Sequence, residues 1–201
     1  MKLVVGLGNP GERFRGTRHN VGTEVVAELA RRHDASKPAR QGQASVAPIQ
    51  IMGAEVLLAT TRTFMNDSGR AVQGLMARHR IRELADLLVA LDEMELPLGT
   101  LRMRPSGSDA GHNGLKSVIE SVGGASFPRL RIGIGRPPPG LDPIEHVLSR
   151  FRPEEREVMD ATVRRAADAV ESWIGNGILR TMDQFNRPAS GPASAVGGVQ
   201  P

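Results

Sequence analysis

The sequence predicts an α/β protein in which a single twisted, mixed β-sheet is sandwiched between helices in three layers. Three observations predict it. Short apolar runs such as Leu3-Val4-Val5 and Leu87-Leu88-Val89-Ala90-Leu91 read as strands buried on both faces. The segments between such runs carry apolar residues at helical spacing, and strands alternating with helices build a sheet covered on both sides. One pair of runs instead folds back as a hairpin, which makes the sheet mixed.

The elements follow in order. Leu3 to Val5 is the first strand, and the first helix begins where Val21, Val25, Val26 and Leu29 fall on one face. The polar stretch from Ser36 to Gln43 interrupts order. Ala44 to Thr61 reads as a hairpin about Met52-Gly53-Ala54-Glu55. Its second arm, Val56-Leu57-Leu58-Ala59, is central, whereas Pro48 puts the first arm at an edge. Val72, Leu75 and Met76 mark a helix from Ser68 to His79, with Asn66 or Asp67 able to cap it. After Leu87 to Leu91 comes a short strand, Leu101 to Arg104, then a glycine loop from Ser106 to Gly111. Leu115, Val118, Ile119 and Val122 mark the next helix, and Leu130 to Ile134 another strand. Met159, Val163, Ala166, Val170 and Trp173 stripe a long helix from about Pro153, closed by Gly175 to Gly177; a short helix runs through Leu179 to Phe185. This predicts one domain over residues 1–186 and a disordered tail over 187–201, rich in Gly, Pro, Ser and Ala.

Composition excludes several functions. The 201 residues contain no cysteine, so there is no disulfide, thiolate nucleophile or cysteine metal site. The chain opens on a strand and has no apolar run of spanning length, so no membrane association is expected and the cytoplasm is the default location. The net charge is +4, and 23 of the 26 basic residues are arginine, which is compatible with nucleic acid without requiring it. With five Phe, one Trp and no Tyr, a base-stacking platform is not expected.

The polar residues gather at predicted strand ends. Between the first strand and first helix lies a loop holding Asn9, three arginines, His19 and Asn20. Asn66 comes shortly after the strand ending near Thr61, Asp92 directly after Leu91, and Asn113 opens a helix behind the glycine loop. If the strands are parallel neighbours, their carboxyl ends bring these residues and His19 to one rim, where α/β proteins bind ligands. Asp92 beside His19 would fix the imidazole tautomer and stabilise imidazolium, so that His19 could deprotonate water. The amides of Asn9, Asn66 and Asn113 can hold peptide-like groups and polarise a carbonyl. Taken singly, each residue has a plainer reading: His19 at the surface, Asp92 in a turn, Asn66 and Asn113 as helix caps. His112 reads as a packing or capping residue. Gly6-Leu7-Gly8-Asn9-Pro10-Gly11 fits G-x-G-x-x-G, but a dinucleotide site needs the helix to open inside that motif, and here a loop intervenes. The histidines show no i, i+4 pairing and no ligand cluster in sequence, so neither metal nor other cofactor is expected.

Five ordered blocks then resemble bacterial-type peptidyl-tRNA hydrolases. They are Asn9-Pro10-Gly11 with Thr17-Arg18-His19-Asn20; Thr63-Phe64-Met65-Asn66-Asp67-Ser68-Gly69; Asp92-Glu93 with Leu96-Pro97-Leu98-Gly99; Gly111-His112-Asn113-Gly114-Leu115-Lys116; and Arg129 to Gly135. The resemblance implies the same sheet-between-helices fold and cleavage of the ester joining a peptide to the 3′ end of tRNA. It implies His19, Asp92 and Asn9 as catalytic residues, with Asn9 distinguishing N-blocked from free aminoacyl groups. It implies Asn66 and Asn113 as substrate contacts, Phe14, Phe64 and Met65 as walls for the 3′ end, and a monomer. Arg102 and Arg104, alternating on one face of their strand, are then a phosphate clamp for the acceptor arm, extended by Lys116, Arg129 and Arg131 and by Arg13, Arg15 and Arg18; the plainer reading is protective charge on an edge strand. Phe14 stands where the family commonly has tyrosine, Leu91 where histidine is frequent, and the Ser106–Gly111 loop is poorer in glycine. A non-catalytic RNA-binding adaptor of the same fold, or an esterase without RNA, would lack the histidine–aspartate pair or the arginine strand respectively.

Overall fold

The structure, a computed structural model, describes residues 1–187, so the predicted tail beyond Arg187 lies outside the described residues. The strands are β1 (Lys2–Gly6), β2 (Ala39–Gln41), β3 (Ala44–Ile51), β4 (Ala54–Thr61), β5 (Leu87–Glu93), β6 (Leu101–Arg104) and β7 (Arg129–Gly133). The helices are α1 (Val21–Arg32), α2 (Ser68–Arg78), α3 (Asn113–Val122), α4 (Pro143–Leu148), α5 (Pro153–Asn176) and α6 (Ile178–Phe185). One seven-stranded sheet runs in the order β2-β3-β4-β1-β5-β7-β6. Its centre, β4-β1-β5-β7, is parallel, and antiparallel strands flank it on both sides.

Alternation explains the uninterrupted apolar runs. Val4, Leu58, Leu88 and Ile132 face α1, α5 and α6, where Val25, Leu29, Ala166 and Val170 meet them. Their neighbours Leu3, Val5, Leu57 and Val89 face α2 and α3, against Val72, Leu75, Leu115 and Val118. Both faces of the central strands are therefore dry, and three layers result. Two glycines set how closely the α1 layer approaches. A Cβ on Gly22 would lie 2.3 Å from the Ala90 carbonyl oxygen, and one on Gly6 would lie 2.2 Å from the Gly22 oxygen. Glycine at both places lets the start of α1 rest directly on β1 and β5, which carries the preceding residue pair, His19 and Asn20, to the sheet rim.

Several local expectations change. The polar stretch before residue 44 contains β2, a three-residue strand that exists through its pairing with β3. That pairing ends at Ala44–Val46, so Pro48 lies in an inner strand but beyond the reach of β2, where no neighbour requires its missing N–H. Asp67 occupies the N-cap position of α2 without a side-chain capping bond; Ser117 Oγ accepts the Gly69 N–H instead. β5 continues through Asp92, opposite Ile132 of β7, because the ladder outlasts the apolar run. A further helix, α4, starts at Pro143 behind Asp142, whose carboxylate accepts the Ile144 and Glu145 N–H groups. Among the described residues no helix is long and apolar enough to cross a membrane.

Candidate active site

The parallel strands β4, β1 and β5 are neighbours, so their carboxyl ends share one rim. There Asp92, with 3% of its surface exposed, presents Oδ1 to two imidazoles. His19 Nδ1 lies 2.8 Å away and His112 Nε2 lies 3.0 Å away. The rings stand 5.0 Å apart, centroid to centroid. His112 also caps α3: its Nδ1 accepts the Leu115 N–H at 3.1 Å. That bond assigns the ring's tautomer. In neutral His112 the proton sits on Nε2 and is donated to Asp92. His19 donates from Nδ1 to the same oxygen, which leaves its Nε2 as the ring's acceptor. Burial pushes the Asp92 carboxyl up, but the two imidazoles beside it outweigh burial and hold it well below the usual carboxylate range.

His19, Asp92 and His112 offer three potential metal ligands within 4.8 Å of one another, a cluster invisible in sequence spacing. The donor chemistry fits a metal poorly. A ligating imidazole normally donates its second ring N–H, and the second nitrogen of His112 accepts a hydrogen bond.

The other predicted residues divide. Asn113 is exposed at the start of α3 and lines a cleft of about 170 Å³ together with His19 and Asp92. Pro143, Ile144 and Val147 of α4 line the same cleft. With Asn20, Asn9 lines a separate cleft, which shares no lining residue with the first. The Asn20 amide grips the Asn9 backbone at both ends, accepting its N–H and donating to its carbonyl, each at 2.9 Å. Asn9 Oδ1 accepts the Met65 N–H at 2.8 Å, which leaves its Nδ2 as a donor without a partner among the described residues. Asn66 is exposed beside Met65. Met65 is buried against the start of α3, where a Cβ on Gly114 would lie 2.3 Å from its sulfur. Phe64 is 59% exposed and meets buried Phe14 edge to face at 6.3 Å.

The arginines also divide. Arg102 and Arg104 sit on β6, the sheet's outer edge, half-buried and exposed respectively. Arg129 is fully buried, and burial pulls its guanidinium down to about 10. It donates to the carbonyls of Gly107 (2.7 Å) and Ala125 (2.6 Å) and so ties down the loop that leads to His112. Arg131 is engaged with Glu93 and with the Ser108 carbonyl. Arg18 is buried, paired with Glu155 at 2.9 Å and stacked over Phe151. Arg18 and Arg129 are therefore structural braces and cannot extend a surface clamp. Reading from sequence also missed His112 as a partner of Asp92. Its local signature is that of a cap, 20 residues away from Asp92 along the chain, and only the fold of the loop brings it back to β5.

Fold and centre together define a three-layer α/β protein with an imidazole oriented by a buried carboxylate at the sheet's carboxyl rim. The family model described as Peptidyl-tRNA hydrolase matches residues 3–193. Similar proteins carry that name: one from Roseiflexus castenholzii is 44% identical over 98% of this chain and 92% of its own, and one from Syntrophomonas wolfei is 46% identical over 92% and 100%. The crystal structure of peptidyl-tRNA hydrolase from Acinetobacter baumannii superposes with a TM-score of 0.86 at 32% identity, covering 92% of this chain and 94% of that one. The chain belongs to the peptidyl-tRNA hydrolase family.

Proposed function

We propose that the chain hydrolyses peptidyl-tRNA with His19 as general base. The ester between the peptide and the 3′ end of tRNA is cleaved, releasing tRNA for reuse. His19 Nε2 takes a proton from water, and the hydroxide adds to the ester carbonyl carbon. Asp92 supports the imidazolium that forms and keeps Nδ1 as the protonated nitrogen. The Nδ2 of Asn9, whose Oδ1 is held by the Met65 N–H, is a donor for the developing oxyanion or for the blocked amide of the substrate. Collapse of the tetrahedral intermediate breaks the bond to the 3′ oxygen, which leaves with the proton from His19. Asn113 and Asn66 bind the peptide backbone, Phe14, Phe64 and Met65 bound the 3′ end, and Arg102 and Arg104 meet phosphates of the acceptor arm. Residues 1–186 act as one catalytic unit, monomeric and cytoplasmic, where its substrate arises.

One observation carries the mechanism: a single buried carboxylate oxygen accepts from both imidazoles, while the Leu115 N–H assigns the proton of one of them. The test is single-turnover cleavage of N-acetyl-aminoacyl-tRNA in EDTA. His19→Ala should remove nearly all cleavage while the substrate still binds. Near-normal cleavage by His19→Ala would sink the mechanism; loss of all cleavage by the unaltered protein in EDTA would point to a metal.

A further inference from the structure

β6 is an edge strand of four residues, and its outer side faces no other strand. Thr100 bonds inward to β7 through its carbonyl, so by alternation Arg102 and Arg104 also turn their backbone groups inward, and Met103 turns its N–H and C=O outward. Such a short edge frays unless its outward groups find partners. Here one side chain serves both. Asn186, just past α6, accepts the Met103 N–H through Oδ1 at 2.6 Å and donates to the Met103 carbonyl from Nδ2 at 3.1 Å. It pairs with the strand as a neighbouring strand residue would.

Asn186 is itself held. Phe185 before it is buried in the core. Arg165 of α5 donates to the carbonyls on either side of it, at Phe185 (3.1 Å) and Arg187 (3.0 Å). The amide therefore reaches β6 from a fixed point, and Met103 is the residue between the two arginines.

We infer that Asn186 is a positioning residue for tRNA binding, which holds β6 so that Arg102 and Arg104 present a preformed pair of guanidinium groups to the acceptor arm. The inference rests on the reading of those arginines as phosphate contacts. Preorganisation matters because a frayed strand must be reordered at the expense of binding free energy.

The experiment compares KM and kcat for full-length N-acetyl-aminoacyl-tRNA and for a truncated ester carrying only the terminal nucleotide. Asn186→Ala should raise KM for the full-length substrate roughly 3- to 10-fold, the equivalent of about one hydrogen bond. It should leave kcat and cleavage of the truncated ester unchanged. In a background already carrying Arg102→Ala and Arg104→Ala, it should add nothing to KM. Arg165→Ala, which loosens the support from behind, should move KM in the same direction by less and provides a second route if Asn186→Ala folds poorly. If the double arginine change leaves KM unaltered, the phosphate reading falls and takes the inference with it. If the arginines matter but Asn186→Ala does not raise KM, affects both substrates equally, or adds in full to the double change, the inference alone falls.

Discussion

At Asp92 the polar groups are saturated from within the protein, whereas at β6 they are turned outward. The contrast is sharpest across one ladder: Arg102 lies opposite Arg131 and Arg104 opposite Arg129. All four residues alternate on their strands in the same way. The β7 pair is inside the sheet and is spent on loop carbonyls and Glu93, while the β6 pair is at the edge and keeps its charge for solvent or ligand. An internal strand turns arginine into scaffold, and an edge strand leaves it available for recognition. In the mechanism proposed above the saturated side serves chemistry, which needs a fixed tautomer and a fixed loop.

The largest effect expected from this comparison is on the saturated side. Asp92→Asn should cut kcat roughly 10²- to 10⁴-fold with little change in binding, because tautomer control and charge support are both lost. A fall of less than about tenfold, some 1.4 kcal/mol, would make the carboxylate a bystander. The sign of its pH linkage follows from its depressed folded value. The stability it contributes is present above the ordinary aspartate range and is lost as pH falls through the folded value. Removing both imidazoles leaves burial dominant, so a protein carrying His19→Ala and His112→Ala should show the Asp92 carboxyl raised by carbon NMR; a further fall would break the account.

Arg129→Ala should come next. Removing a fully buried side chain together with the bonds it makes to four backbone carbonyls should cost about 2–4 kcal/mol of stability, read from the urea midpoint. Its ladder partner gives the counter-test. Arg102→Ala with Arg104→Ala should change stability by less than about 0.5 kcal/mol per site but raise KM for peptidyl-tRNA. The double change should also flatten the log–log salt dependence of binding by roughly 0.7 to 0.9 per lost phosphate contact. Equal stability losses from both pairs would erase the distinction between scaffold and recognition arginines.

The smallest effect falls at Asn113. It is exposed at the first position of α3, and His112 is the cap. Asn113→Ser should therefore leave the thermal midpoint nearly unmoved, while productive binding weakens by about 1–3 kcal/mol. Full activity in that variant would remove Asn113 from the substrate site.

The sequence by itself determined the layers and the rim. Leu3 to Val5 and Leu87 to Leu91 are apolar at every position, which only burial on both faces accommodates, and the helical stripes of Val21 to Leu29 and Met159 to Trp173 supply the covering layers. Parallel strands then send Asn9 and Asp92 to the same end. Tertiary structure decided what period and spacing do not encode. β2 is polar and three residues long, and it is a strand because β3 offers it a ladder. Arg18, Arg102, Arg104, Arg129 and Arg131 look alike as letters, and their roles divide by sheet position and by the carbonyls and carboxylates that loops bring to them. His112 has the local signature of a cap and is one, yet it also reaches Asp92, because buried Arg129 grips the carbonyl of Gly107 and anchors the loop that folds back over β5. Hydrogen bonds between residues far apart in sequence leave no periodic trace in either partner, so that pairing is settled only when the loop closes on the sheet.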